Sequence, residues 1–110
     1  MLCRVDEIPD GRGRGFAVAR AGERVDIFVV RDGRHVFGYV NACPHVGTPL
    51  DFKPDTFMSP DGSHIQCSTH GARFRIADGH CVAGPCAGDA LQPARVVVDG
   101  EGRVVTVDAD

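Results

Sequence analysis

No basic stripe runs along this 110-residue chain. Twelve Lys and Arg face fifteen Asp and Glu, a net charge of −3 that leaves nothing to neutralise a run of phosphates, so nucleic-acid binding is not expected. Long hydrophobic runs are lacking too. Near the N-terminus the longest is Ile27-Phe28-Val29-Val30, far short of an export signal or a membrane span, and neither export nor membrane anchoring is expected. Sustained helical periodicity is missing, because Pro9, Pro44, Pro49, Pro54, Pro60, Pro85 and Pro93 interrupt nearly every candidate segment. Any helix should be a single short turn. The five cysteines, Cys3, Cys43, Cys67, Cys81 and Cys86, are odd in number, which argues against a complete disulfide framework and for the reducing cytoplasm. Internal repeats, charge blocks, a separate carboxylate pair, a G-x-S-x-G elbow and a phosphate-binding glycine loop are all absent, so the chain is not expected to be an enzyme.

What is present is turn chemistry. Fourteen glycines and seven prolines in one short domain favour an all-β architecture. Alternating or β-rich runs recur at residues 16–20, 25–31, 35–41, 64–66, 73–76, 95–99 and 103–108. Between them stand four Asp-Gly pairs, Asp32-Gly33, Asp61-Gly62, Asp78-Gly79 and Asp99-Gly100, each a hairpin signal. The stretch Gly11-Arg12-Gly13-Arg14-Gly15 reads as a flexible loop before a strand; it lacks the aromatic partners and basic surface that RNA binding needs. One domain is expected, with residues 1–41 and 90–110 forming a base and residues 42–89 inserted as a dependent unit.

Chemistry concentrates in that insert. Cys43-Pro44-His45 and, after 21 intervening residues, Cys67-Ser68-Thr69-His70 each offer one thiolate and one imidazole, followed by glycines at Gly47 and Gly71. Two such loops point to a shared metal site. Zinc sites with two Cys and two His usually draw like ligands from one turn, whereas each turn here supplies one of each. That division suits two chemically different metals, one on Cys43 and Cys67 and the other on His45 and His70, the ligand set of a [2Fe–2S] centre with mixed ligation. A structural zinc module for protein binding remains the alternative from another class.

The motifs C-P-H-V-G-T-P-L (residues 43–50) and C-S-T-H-G-A-R-F (residues 67–74) resemble the paired signature of Rieske-type proteins, and Gly84-Pro85-Cys86 falls where that family carries a proline-bearing loop over the cluster. The resemblance spans about residues 35–107. It implies an antiparallel β-sandwich base with an inserted cluster-binding subdomain, and one [2Fe–2S] cluster as cofactor. The implied function is a soluble, cytoplasmic ferredoxin that carries single electrons from a flavin-dependent reductase to a terminal oxygenase or a related acceptor. A small subunit of a nitrite reductase-like complex is the alternative within the family. The electron should enter at the histidine-bound iron, since neutral imidazole donates less charge than thiolate.

Departures from the family pattern refine this. Membrane-complex members carry an extra cysteine in each cluster loop, joined as a disulfide; Thr48 and Thr69 stand at those places. High-potential members follow the second motif with a serine and, two residues later, a tyrosine, whose hydroxyls donate to sulfur; Ala72 and Phe74 stand there, implying a low-potential centre. Other candidates have bland readings. Cys3 is a strand residue, Cys81 and Cys86 are small buried hydrophobes before they are a redox pair, and His35, His64 and His80 are solvated or core singles. Arg73 and Lys53 are scattered surface charge, and Pro85 is assigned to shielding the cluster.

Overall fold

Ala21 and Gly22 turn the longest hairpin of the protein, both at positive φ (51° and 80°), the primed geometry whose twist matches paired strands. In the computed structural model, which describes residues 2–44, 49–51, 55–67, 71–84 and 88–107, this turn joins β2 (Gly13–Arg20) to β3 (Glu23–Asp32). The other strands are β1 (Cys3–Arg4), β4 (His35–Val40), β5 (Ile65–Gln66), β6 (Arg73–Phe74), β7 (Cys81–Ala83), β8 (Val96–Val98) and β9 (Arg103–Thr106). One 3-10 turn, Val5–Glu7, is the helical content among the described residues, as the prolines require. Among the described residues no helix is long and apolar enough to cross a membrane.

Among the described residues all strand pairings are antiparallel and form three three-stranded sheets, in the orders β1-β9-β8, β2-β3-β4 and β5-β6-β7. The all-β expectation therefore holds. Central strand β3 explains the layering. Its four-residue apolar run is wholly buried because both faces are covered: alternate side chains point opposite ways. Phe28 and Val30 face a core shared with Tyr39, Cys43, Leu50, Phe57, Ile65, Cys67, Phe74 and Leu91. Val29 faces a second core with Cys3, Ile8 and Val104. Each such large apolar side chain contributes roughly 1.5–3 kcal/mol on burial, and Phe28 also stacks on Phe57 with ring centroids 4.5 Å apart.

Three of the four Asp-Gly pairs place their glycine at positive φ (Gly33 64°, Gly62 73°, Gly79 70°), while in the fourth turn Gly102 takes that role at 76°. The glycine-rich start departs from expectation. Gly13 and Gly15 are not loop residues but open β2, because the segment around Phe57 packs directly on them. A Cβ on Gly13 would lie 3.0 Å from Val30 Cγ1 and 3.3 Å from Phe57 Cβ. The Gly15 N–H donates to Asp55 Oδ1 at 2.8 Å. Close backbone approach, not flexibility, selects glycine there.

Candidate metal centre

Cys43 lies just beyond β4, and the chain leaving that strand is held on both sides. The Val40 N–H donates to the Gln92 carbonyl and the Asn41 N–H to the Asp26 carbonyl, each at 2.8 Å. Asn41 then closes the first motif loop from within. Its Oδ1 accepts the Leu50 N–H at 2.8 Å and its Nδ2 donates to Asp51 Oδ1 at 2.9 Å, so the entry and exit of the loop are tied through one side chain. Asp51 reaches on to the Asp55 N–H at 3.2 Å. The Cys43 side chain is wholly buried.

Cys67 lies just beyond β5, where the Gln66 N–H donates to the Phe57 carbonyl at 2.8 Å. The second motif loop closes on itself: the Cys67 N–H donates to the Ala72 carbonyl at 2.8 Å and the Gly71 N–H to the Cys67 carbonyl at 2.9 Å. Gly71 makes this possible at φ 69°. Cys67, Ala72 and Phe74 are all fully buried. The structure thus brings Cys43 and Cys67, far apart in sequence, into one apolar cluster with Leu50, Phe57 and Phe74. His45 and His70, and with them Thr48, Thr69, Lys53, Pro85 and Cys86, lie outside the described residues.

The donor chemistry of this cluster fits an iron–sulfur group. Soft thiolate donors in a water-excluded, apolar setting suit iron–sulfur or zinc and not a hard cation. Among the described residues no group of three or more His, Cys, Asp and Glu forms another metal site. Cys81 donates its thiol to the Ala83 carbonyl at 3.3 Å. Cys3 belongs to the second core, where burial pushes its thiol pKa up against the pull of Arg14. His64 Nδ1 lies 2.8 Å from Ser63 Oγ in a turn that Asp61 organises, while His35 is exposed. A cleft of about 390 Å³ between β4 and β8 is lined by Phe37, Tyr39, Asp78, Arg95, Val96 and neighbours, none of them in a motif loop. Its size carries no weight against the chemistry of the two thiols. Asn41 and Asp51 went unnoticed in the sequence; an amide side chain two residues before Cys43 was the available signal.

A small all-β domain that buries one cysteine from each of two loops in a common core is the class this fold defines. The chain belongs to the Rieske [2Fe-2S] domain family, whose profile matches residues 1–108. Similar solved structures include the ferredoxin of carbazole 1,9a-dioxygenase from Nocardioides aromaticivorans IC177, at 28% identity and TM-score 0.71, covering 96% of this chain and 92% of that one. The Sphingomonas yanoikuyae B1 ferredoxin matches at 28% identity and TM-score 0.70, covering 99% and 96%. A chain in the complex of reduced oxygenase and oxidized ferredoxin in carbazole 1,9a-dioxygenase matches at 25% identity and TM-score 0.75, covering 98% and 91%. No curated protein matches the chain.

Proposed function

We propose that the protein is a soluble, low-potential Rieske ferredoxin of the cytoplasm, carrying single electrons from a flavin-dependent reductase to a terminal oxygenase or related acceptor. The observation that carries this is the burial of Cys43 and Cys67 in one apolar cluster, beside Ala72 and Phe74, at the cysteine positions of the two motifs. Cys43 and Cys67 would hold one iron and His45 and His70 the other. When bound, the [2Fe–2S] cluster supplies reversible one-electron redox chemistry at a potential that histidine ligation raises above that of all-cysteine centres.

The remaining work belongs to the chain. Asn41 and the Cys67–Ala72 hydrogen bond hold the two thiol-bearing segments in place, the preorganisation a metal site needs. Leu50, Phe57 and Phe74 exclude water from the inner side of the site. Ala72 and Phe74 bring no hydroxyl to it, so these positions give the reduced state no donor, which supports a low potential. The base of residues 1–41 and 90–110 serves as the platform for residues 42–89. Support comes from the Tyr39 hydroxyl, which donates to the Ile76 carbonyl at 2.6 Å, and from the core the two parts share. An oxygenase acceptor is supported by the ferredoxin–oxygenase complex among the similar structures. Four buried cysteines that form no disulfide among the described residues suit a reducing compartment.

Anaerobic purification followed by iron and acid-labile sulfide analysis tests the cofactor, and a redox titration followed by electron paramagnetic resonance tests its type. Two irons, two sulfides and a potential in the lower part of the roughly −150 to +300 mV Rieske range are expected. A colourless zinc protein, or a potential at the upper end of that range, would refute the assignment. Transfer of electrons from a flavin reductase to a ring-hydroxylating oxygenase then tests the role.

A further inference from the structure

Strand β7 carries one residue more than the stretch of β6 it faces. Arg73 pairs with Ala83 and Phe74 with Cys81, which leaves Val82 over as a bulge, and its side chain is 45% exposed. Bulges bend the strand that bears them and re-aim the chain beyond. The first residue beyond β7 is Gly84, at φ 99°, a conformation that residues with side chains rarely adopt. Gly84 is also pressed against the second motif loop. A Cβ there would lie 2.8 Å from Ala72 Cα, 3.1 Å from Ala72 Cβ and 3.4 Å from the Ala72 nitrogen. Backbone lies on backbone, and no flexible side-chain end is available to move aside. Ala72 is itself fully buried, and its carbonyl is the acceptor of the Cys67 N–H. A displacement at residue 84 therefore reaches Cys67 through one intermediate.

We infer that Gly84 is a positioning residue for the Cys67 thiol. The bulge at Val82 directs the chain onto Ala72, and the Gly84–Ala72 contact clamps the second motif loop from outside while the Cys67–Ala72 hydrogen bond closes it from inside. This rests on Cys67 being a metal ligand, as proposed above.

Gly79 supplies a matched control. It has a positive φ of 70°, and a Cβ there would lie 2.7 Å from Tyr39 Cε1 and 3.1 Å from Leu91 Cβ, an equal steric insult beside the base. Gly84→Ala and Gly79→Ala are compared with wild type for thermal midpoint, for the resonance spectrum of the reduced protein and for the rate at which a chelator removes metal. Both variants should melt earlier. Only Gly84→Ala should shift the g-values, and it should lose metal about 10-fold faster, the scale of supporting-residue mutations at metal sites. Ala72→Val, which presses on the same contact from the other side without a change at residue 84, should act in the same direction and serves if Gly84→Ala does not fold. Equal metal loss and unchanged spectra in the Gly84 and Gly79 variants, or an Ala72→Val protein indistinguishable from wild type, would overturn the inference. The ferredoxin reading fails separately, on a wild-type spectrum without a mixed-ligand [2Fe–2S] signal. In that case the release of whatever metal the wild type holds still decides the role of Gly84.

Discussion

Replacing Tyr39 by phenylalanine removes one oxygen, and with it the hydrogen bond that ties strand β4 to the turn between β6 and β7. The Tyr39 hydroxyl donates to the Ile76 carbonyl at 2.6 Å, and the residue is only 3% exposed. Losing the bond leaves the Ile76 carbonyl without this donor, which should destabilise the protein by about 1–2 kcal/mol at neutral pH. Alkaline pH provides a sharper test. Burial, reinforced by the nearby Asp78 carboxylate, pushes the Tyr39 pKa up to about 12 from its ordinary value of 10.0. The folded state therefore favours the protonated phenol. Its contribution is fully present below about pH 10, falls as the unfolded chain ionises first, and is gone once pH passes about 12. Two pH units of difference correspond to about 3 kcal/mol over that window. Tyr39 is the single tyrosine of the chain, so tyrosinate absorbance reports on it alone. Urea unfolding of wild type and Tyr39→Phe, at steps from about pH 8 to about pH 12, should show the wild type losing its advantage and then falling below the variant. A gap constant across that range, or a tyrosinate titration near 10, would refute the reasoning.

Phe74→Tyr should raise the reduction potential. A hydroxyl donor interacts more strongly with the more negative reduced state, and a difference of about 1.4 kcal/mol is about 60 mV for one electron. An unchanged potential in a redox titration would show that residue 74 does not reach the site. Ala21→Asn should stabilise the β2–β3 hairpin by about 0.5–1 kcal/mol, because Asn tolerates the positive φ that Ala21 holds at 51°; an unchanged denaturant midpoint would count against it. Asp61 has its pKa held below the ordinary carboxylate value by hydrogen bonds from Ser59 and then Ser63. The stability it brings is present above the unfolded carboxylate pKa and is lost as pH falls below it, so Asp61→Asn should flatten the acid limb of a stability–pH profile. Removing iron should speed hydrogen exchange at the Cys67 and Gly71 amides, which close the second loop; equal protection with and without iron would contradict the coupling.

Strands and turns were legible because their signals are local. Alternation marked β3, β4, β8 and β9, and Asp-Gly pairs marked the turns beside them. Residues 13–15 were misread as loop because glycine has two uses, and sequence does not say which applies. Only the packing of Phe57 across Gly13 and Gly15 shows that close approach was the reason. The Ala21-Gly22 turn escaped for a related cause, since alanine at positive φ is a strained choice that turn statistics disfavour. Strand β7 was missed because Cys81-Val82-Ala83 carries a bulge and so breaks the alternation by which strands are read. Motif spacing singled out Cys43 and Cys67, which share one buried cluster, but not Asn41, and it marked Gly84 as part of a loop without its contact on Ala72. Each acts through a contact with a residue distant in sequence or in the next loop.

These distant contacts explain how the thiol-bearing segments are ordered without a staple. Threonine at positions 48 and 69 brings no thiol with which the two motif loops could be stapled together. Order is imposed from the strand ends instead. Asn41 spans the first loop from the end of β4, Phe57 holds the entry to Cys67 through the Gln66 N–H, and β7 delivers Gly84 onto Ala72. A disulfide would fix the two loops to each other and leave them free to move together against the base. Ties to the ends of β4 and β7 and to the Phe57 segment hold each thiol-bearing segment relative to the sheets, so the separation of Cys43 and Cys67 depends on sheet register. A one-residue slip in β6–β7 pairing would move Gly84 off Ala72 and turn Phe74 out of the core. Substitutions that disturb that hairpin should therefore affect metal retention before they affect the fold of the base, the reverse of the order expected if a covalent link held the loops.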